Sequence, residues 1–176
     1  MIISETDKKH YQVIRDNVKK FLELLKDKYD NSNITILDIA PQVHNGVKGI
    51  FENAKVLTLD IDPSSNADYI LDICNNNSST ILDNTFDLIV CTEVLEHTNN
   101  PFLAVDELYR MCKVNGTVAA STPFNFRIHG PLPDNWRFTV HGLNVLFSKF
   151  KNIEISSLED DSRFLMPIQY TTLATK

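Results

Sequence analysis

A chain of 176 residues with 43% hydrophobic and 23% charged side chains has enough apolar material for one domain with a substantial core, and that excludes disordered and fibrous classes. Its 23 acidic residues outnumber 17 Lys and Arg, for a formal net charge of −6, and no Lys/Arg run interrupts that balance, which argues against a protein gripping nucleic acid through its phosphates. Three widely spaced cysteines, Cys74, Cys91 and Cys112, with no CxxC pair, argue against a zinc site or a disulfide framework and read as small buried residues in a reducing cytoplasm.

The N-terminal stretch carries no apolar leader core, and no segment approaches the roughly 18 unbroken apolar residues of a membrane span. From Asp7 to about Tyr29, Tyr11, Ile14, Val18, Phe21, Leu22 and Leu25 recur at three and four residues, which predicts an amphipathic helix. "NITILDIA" is an apolar run too short for a helix, so a buried strand is expected at 34–39, followed by a short helix over 44–53. "AKVLTLDID" repeats the format at 54–62, ending in acid before Pro63. The polar "NNNSST" at 75–80 is a loop by composition, and "FDLIVCT" at 86–92 is the third clear strand. "NPFLAVDELYRMCKVNG" reads as a complete helix, with Asn100 at the N-cap, Pro101 at the first helical position and Gly116 just past the end. A strand at 117–122 follows.

Residues 123–138, "PFNFRIHGPLPDNWRF", hold three of the seven prolines and four aromatics without a period, which predicts a long loop packed over something. Thr139 caps an expected helix over 140–149, and apolar runs at 152–158 and 164–174 close the chain as strands, the last as an antiparallel pair. Strands alternating with helices imply a mostly parallel sheet with right-handed connections. Ligands of such sheets sit outside the carboxyl ends of the strands, where Asp38 and Asp60 would point.

Those strand ends carry the chemistry. Asp60 follows Asp38 by 22 residues, close to the spacing of about 20 at which a dinucleotide fold places an acid on ribose hydroxyls. The glycines expected after the first strand are absent: Ala40, Pro41 and Gln42 each supply a Cβ, and Pro41 lacks an N–H. A pyrophosphate therefore fits badly, whereas a nucleoside carrying a compact, non-phosphate group makes fewer demands on the loop. In "DLIVCTEVLEH", Glu93, Glu96 and His97 fall within five positions and would share one face of a helical turn. The favoured reading leaves the two acids solvated or capping a helix end, with no metal assigned; a divalent metal is the alternative.

The succession "ILDIA", "VLTLDIDP", "ADYILDI", "FDLIVCTEVLEH" and "NGTVAAST" resembles the class I S-adenosylmethionine-dependent methyltransferases, specifically the small type 11 group, over residues 34–122 by motif and elsewhere by element order. "HGPLPDNWRFTVHGL" is similar to a segment of bacterial methyltransferases in surface-polysaccharide and small-molecule, or secondary-metabolite, pathways. The resemblance implies a Rossmann-like α/β fold with a seven-stranded sheet of order 3-2-1-4-5-7-6, the seventh strand antiparallel and helices on both faces. One domain is expected over 1–176, with an N-terminal helix at 7–29 and a substrate loop at 123–139. The implied cofactor is S-adenosyl-L-methionine. Asp38, Ala40 and Gln42 would lie by its methionine, Asp60 on the ribose, Ile61 and Ile73 on the two faces of the adenine, Asp72 on the adenine amino group, and Cys91 and Thr92 beneath the sulfonium. The first loop departs from the family's glycine-rich turn.

The implied reaction is in-line methyl transfer to an oxygen or nitrogen of a small-molecule or sugar acceptor, needing alignment, desolvation and, for a hydroxyl, a base. His97 and His129 are the candidate bases, with Asp134 a third. Phe124, Phe126, Trp136 and Phe138 are expected to cover the acceptor, and Arg137 either recognises an anionic group or pairs with Asp134. Acceptor choice is expected to rest with this loop, the N-terminal helix or a partner subunit. "EVLEH" also resembles the metal-ligand segment of small-RNA 2′-O-methyltransferases, in which two Glu and the His hold magnesium with a later histidine, here His129 or His141; the acidic charge weighs against RNA. A binding module without turnover is a further alternative, and a nicotinamide oxidoreductase ranks third.

Overall fold

The apolar runs become strands because they are bounded by polar or turn-forming residues, and the central ones, at 35–39 and 86–92, are buried on both faces. In the computed structural model, which describes residues 4–41 and 46–176, these are β1 (Thr35–Ile39), β2 (Lys55–Asp60), β4 (Phe86–Thr92), β5 (Cys112–Pro123), β6 (Asn152–Leu158) and β7 (Gln169–Thr175), with β3 reduced to Tyr69–Ile70. They form one seven-stranded sheet of order β3-β2-β1-β4-β5-β7-β6, parallel except where β7 runs antiparallel to β5 and β6. Order and direction are those the family resemblance implied.

One face carries the larger core, built on Leu37, Ile89 and Val118 and covered by α3 (Pro101–Met111) and α4 (Val140–Leu146). The opposite face, with Ile36, Leu88 and Val90, is covered by α1 (Glu5–Glu23) and α2 (Lys26–Tyr29). Ser4 caps α1 by accepting from the Asp7 amide, Asn100 caps α3, and Thr139 caps α4 by accepting from the Gly142 amide. No helix among the described residues is long and apolar enough to cross a membrane.

Several boundaries differ from expectation. The helix expected over 7–29 breaks at Leu24–Leu25, which turns Tyr29 into the core, where its hydroxyl donates to Thr117 Oγ1 at 2.7 Å. The helix expected to reach Gly116 stops at Met111, because Cys112 already pairs with Phe86 and is fully buried. Gly116 is not a cap: it lies within β5 beside a shift of strand register, and a Cβ there would stand 2.9 Å from Cys112 Sγ and from the Lys113 carbonyl oxygen. Of the helix expected over 44–53, the described part is a 3-10 turn, Gly46–Gly49. The last strand begins at Gln169 rather than 164, since Phe164 and Leu165 are exposed in the connection from β6 and pairing resumes where Ile168 N–H donates to the Leu158 carbonyl.

Candidate functional site

Three parallel strands end in acids on one rim of the sheet. Asp38, near the end of β1, is 4% exposed, and its Oδ2 accepts from the Val47 amide at 2.9 Å. Burial pushes this carboxyl up to about 6, against the pull of the Val47 N–H and the Lys48 charge. At the end of β2, Asp60 is buried and accepts from the Asp62 amide at 2.9 Å, while the Ile61 side chain after it is 66% exposed. Beyond β3, Asp72 accepts from the Cys74 amide at 2.8 Å, and Ile73 is 5% exposed within the core. At the end of β4, Cys91 is fully buried, which pushes its thiol well above the usual range, and Thr92 is half-buried.

The first loop solves its glycine problem by an unexpected route. Ala40 takes φ of 51°, the left-handed region that normally selects glycine, and its amide donates to the Leu59 carbonyl at 2.7 Å. Gly46, at φ 53°, approaches Asp38 so closely that a Cβ there would lie 2.1 Å from Oδ2 and 2.7 Å from Pro41 Cβ. The loop's required glycine is thus six positions beyond Ala40, and the signal in the sequence was the "NG" pair before buried Val47. Gln42 lies outside the described residues.

Between α1 and this rim is a cavity of about 500 Å³. Tyr11, Ile14, Arg15 and Val18 of α1 form its roof, Asp38, Ala40 and Gly46 one wall, and Thr92, Glu93, His97, Phe126 and His129 the other. Phe126 stacks on Tyr11 and meets the His129 ring edge-on, so the loop after β5 closes against α1. Sequence reasoning named the helix and the loop but missed the individual side chains of α1; their helical spacing gave only a buried stripe. Asp60, Ile61, Asp72, Ile73, Cys91, Phe124, Trp136 and Arg137 do not line this cavity.

The turn after β4 opens with Glu93 at φ 54°, whose amide donates to the Ser121 carbonyl. Loss of solvent around its carboxyl raises the pKa, and Oε1 accepts from Ser121 Oγ at 2.8 Å and Gln169 Nε2 at 2.7 Å. Glu96 follows in a single 3-10 turn, 0% exposed, with neither Oε1 nor Oε2 hydrogen-bonded. Burial, and then the nearby Glu93 charge, push its carboxyl well above the ordinary value. His97 and His129 pack against each other with ring centroids 4.8 Å apart, and each Nε2 stands 3.7 Å from Glu96 Oε1. His97 Nδ1 is 2.9 Å from the Pro133 carbonyl oxygen, and His129 Nδ1 is 3.0 Å from Asp134 Oδ2. His141 lies exposed in α4, outside this cluster.

The aromatic loop is packed largely through its own backbone. Arg137 donates twice to Asp134, at 2.5 and 2.8 Å, and also to the carbonyls of Arg127 and Trp136. Burial opposes ionisation of Asp134, but the Arg137 guanidinium and the His129 amide outweigh it and hold the carboxyl well below the usual range. Of the two readings of Arg137, the pair with Asp134 is the arrangement present. Trp136 is 41% exposed, with its indole N–H donating to the Thr98 carbonyl at 2.8 Å and its ring stacked on Phe138. Phe124 packs edge-on against Tyr170.

A family model described as a methyltransferase domain matches residues 18–120. Solved structures of the same fold include a SAM-dependent methyltransferase from Archaeoglobus fulgidus, with a TM-score of 0.68 at 15% identity over 88% of this chain and 94% of that chain. A protein from Pyrococcus horikoshii gives a TM-score of 0.65 at 16% identity, over 92% of this chain and 90% of that one. The CMeT domain of the citrinin polyketide synthase gives 0.67 at 12% identity, over 87% of this chain and 49% of that one. No curated protein sequence matches the chain.

Proposed function

Because the chain belongs to the type 11 methyltransferase-domain family, whose cofactor is S-adenosylmethionine, we propose that it methylates an oxygen or nitrogen of a small-molecule or carbohydrate acceptor held in the cavity under α1. The observation that carries this reading is the cavity itself, which runs from the first loop to the His97–His129 pair and so joins a place for a donor to a place for an acceptor. The residues present suit the cofactor. The first loop brings backbone close to Asp38 through Ala40 and Gly46, and a ligand lacking phosphate makes no demand for further glycines there. Asp38 would take the methionine ammonium and Asp60 the ribose hydroxyls; Asp72 would accept from the adenine amino group. Ile61 presents an exposed side chain to one face of the base, while buried Ile73 would support the other. Cys91 and Thr92 would lie beneath the reacting centre.

When bound, the cofactor supplies a methyl group on a sulfonium that is already a good leaving group, so the protein's tasks are alignment and exclusion of water. Tyr11, Ile14 and Phe126 wall the cavity with apolar surface and exclude solvent from the acceptor. His97 and His129 are the groups placed to act on an acceptor proton, since both line the cavity and both have Nδ1 engaged elsewhere, leaving Nε2. Phe124, Trp136 and Arg137 then shape the pocket from behind by fixing the loop. Bacterial surface-polysaccharide or secondary-metabolite synthesis is the setting we favour.

The test is calorimetric titration with S-adenosylmethionine and with its demethylated product, followed by a screen of hydroxylated sugars and phosphorylated metabolites. Micromolar binding and methylation of a member of the screen is the expected result. No binding of either nucleoside at millimolar concentration would refute the reading in favour of a module without turnover.

A further inference from the structure

The wall of the cavity holds a carboxylate that the fold has buried without a partner. Folding rarely leaves both oxygens of a fully enclosed Glu unsatisfied, because stripping such a group of water costs several kcal/mol. Glu96 is in that position, and Nε2 of His97 and of His129 each stand 3.7 Å from its Oε1, too far for hydrogen bonds.

The far side of each ring explains why. A backbone carbonyl can only accept, so His97 carries its proton on Nδ1 toward the Pro133 oxygen. Asp134, which accepts twice from Arg137, likewise accepts from His129 Nδ1 and fixes that ring in the same tautomer. Both Nε2 atoms therefore present lone pairs toward the Glu96 carboxyl, and the three potential ligand atoms lie within 4.8 Å of one another. A cation at their centre satisfies all three.

The geometry points to a site for one divalent first-row transition ion, held by the Glu96 carboxylate and the Nε2 atoms of His97 and His129. Two imidazoles and one carboxylate suit zinc, cobalt or iron(II) better than magnesium, which prefers oxygen ligands and retained water. A tetrahedral set at about 2.1 Å places its donors about 3.4 Å apart, close to the 3.7 Å already present. Asp134 on His129 and Pro133 on His97 are the outer contacts that orient ligating imidazoles, which gives the Arg137–Asp134 pair a purpose beyond loop packing. Glu93 is outside the cluster, and its Oε1 accepts from both Ser121 and Gln169.

His97 and His129 line the cavity while Glu96 lies behind them, so the ion's open positions face the acceptor. This role, though not the binding, rests on the methyl-transfer reading and replaces proton abstraction by the two Nε2 atoms, whose lone pairs the ion occupies: an acceptor hydroxyl on the ion would release its proton to water more readily and attack as the stronger nucleophile.

The test uses the full chain without a histidine tag, stripped with chelator and titrated with Co²⁺, Zn²⁺ and Mg²⁺ by calorimetry, with Co²⁺ also followed by its visible absorption. One equivalent of Co²⁺ or Zn²⁺ should bind, a tenfold excess of Mg²⁺ should not displace it, and Glu96→Gln and His97→Ala should each weaken binding at least about tenfold. His141→Ala should bind as the parent does. Circular dichroism and S-adenosylmethionine titration of each variant separate a lost metal site from a lost fold or cofactor site. Absence of stoichiometric Co²⁺ and Zn²⁺ binding, or binding undiminished in a folded Glu96→Gln variant, would overturn the assignment even where cofactor binding is intact.

Discussion

Cofactor affinity should depend on pH through Asp38. Its carboxyl, buried at the end of β1, titrates at about 6 in the ligand-free chain. An ammonium group placed against it favours the carboxylate, so binding must expel whatever proton Asp38 holds. Affinity then scales with the ionised fraction, which is about one in eleven at pH 5 and nearly complete at pH 8 for a group of that pKa. The dissociation constant for S-adenosylmethionine should be about tenfold weaker at pH 5 than at pH 8, equivalent to about 1.4 kcal/mol, with a proton released on binding at pH 5. Calorimetry at four pH values, each in two buffers of different ionisation heat, reads both quantities.

Asp38→Asn supplies the control, and it should move stability in the opposite direction. The folded pKa lies above the unfolded value of 3.8, so the folded chain holds the extra proton and stability falls as pH rises between about 4 and 6, by up to about 3 kcal/mol. The amide removes that loss, since its oxygen can still accept from the Val47 amide. The variant should therefore melt higher than the parent at pH 7, bind the cofactor more weakly and show no dependence between pH 5 and 7. Equal affinities of the parent at pH 5 and 7, or a slope that survives in Asp38→Asn, would refute the reasoning.

Four further substitutions read other parts of the site. Asp60→Ala should weaken cofactor binding by about 10- to 100-fold in a chain with an unchanged circular dichroism spectrum, as expected for charge-assisted hydrogen bonds of about 1.5–3 kcal/mol. Ala40→Gly should raise stability by about 1 kcal/mol in denaturant titration, by relieving a left-handed alanine. Arg137→Ala should cost about 2–3 kcal/mol, since it leaves the enclosed Asp134 without its cation. Trp136→Ala should lower the melting temperature rather than act on acceptor binding, by removing the bond to Thr98 and the stack on Phe138; an unchanged melting temperature would return Trp136 to the acceptor pocket.

What could be read in advance was whatever a single segment encodes. β4 and β6 match their expected boundaries because each is an isolated run between polar residues, and Thr139 and Asn100 cap the helices expected of them. Misreadings arose where distant segments decide. Gly116 looks like a helix end locally, but the contact that demands a glycine is with Cys112 and Asp87 across a register shift. β3 has two residues and no apolar pattern of its own; it is a strand because Leu59 and Asp60 lie beside it. Likewise nothing in "EVLEH" says that Glu96 will be sealed from solvent, because Asn135 and Trp136, which bind its carbonyl, come 39 and 40 residues later.

The first loop shows why the absence of a motif is weaker evidence than its presence. Glycines are needed after β1 for two separable reasons, a left-handed backbone and room for close approach. Here those demands fall on different residues: Ala40 accepts the conformation at a cost of about 1–2 kcal/mol, and Gly46 supplies the space beside Asp38. The strained position can be relieved by substitution, but the crowded one cannot, because a Cβ at Gly46 would fall 2.1 Å from the carboxylate that fixes the loop through Val47. A chain drifting away from ligand binding has no reason to hold both the strain at Ala40 and the buried charge at Asp38. Their persistence together favours a loop still shaped for a ligand.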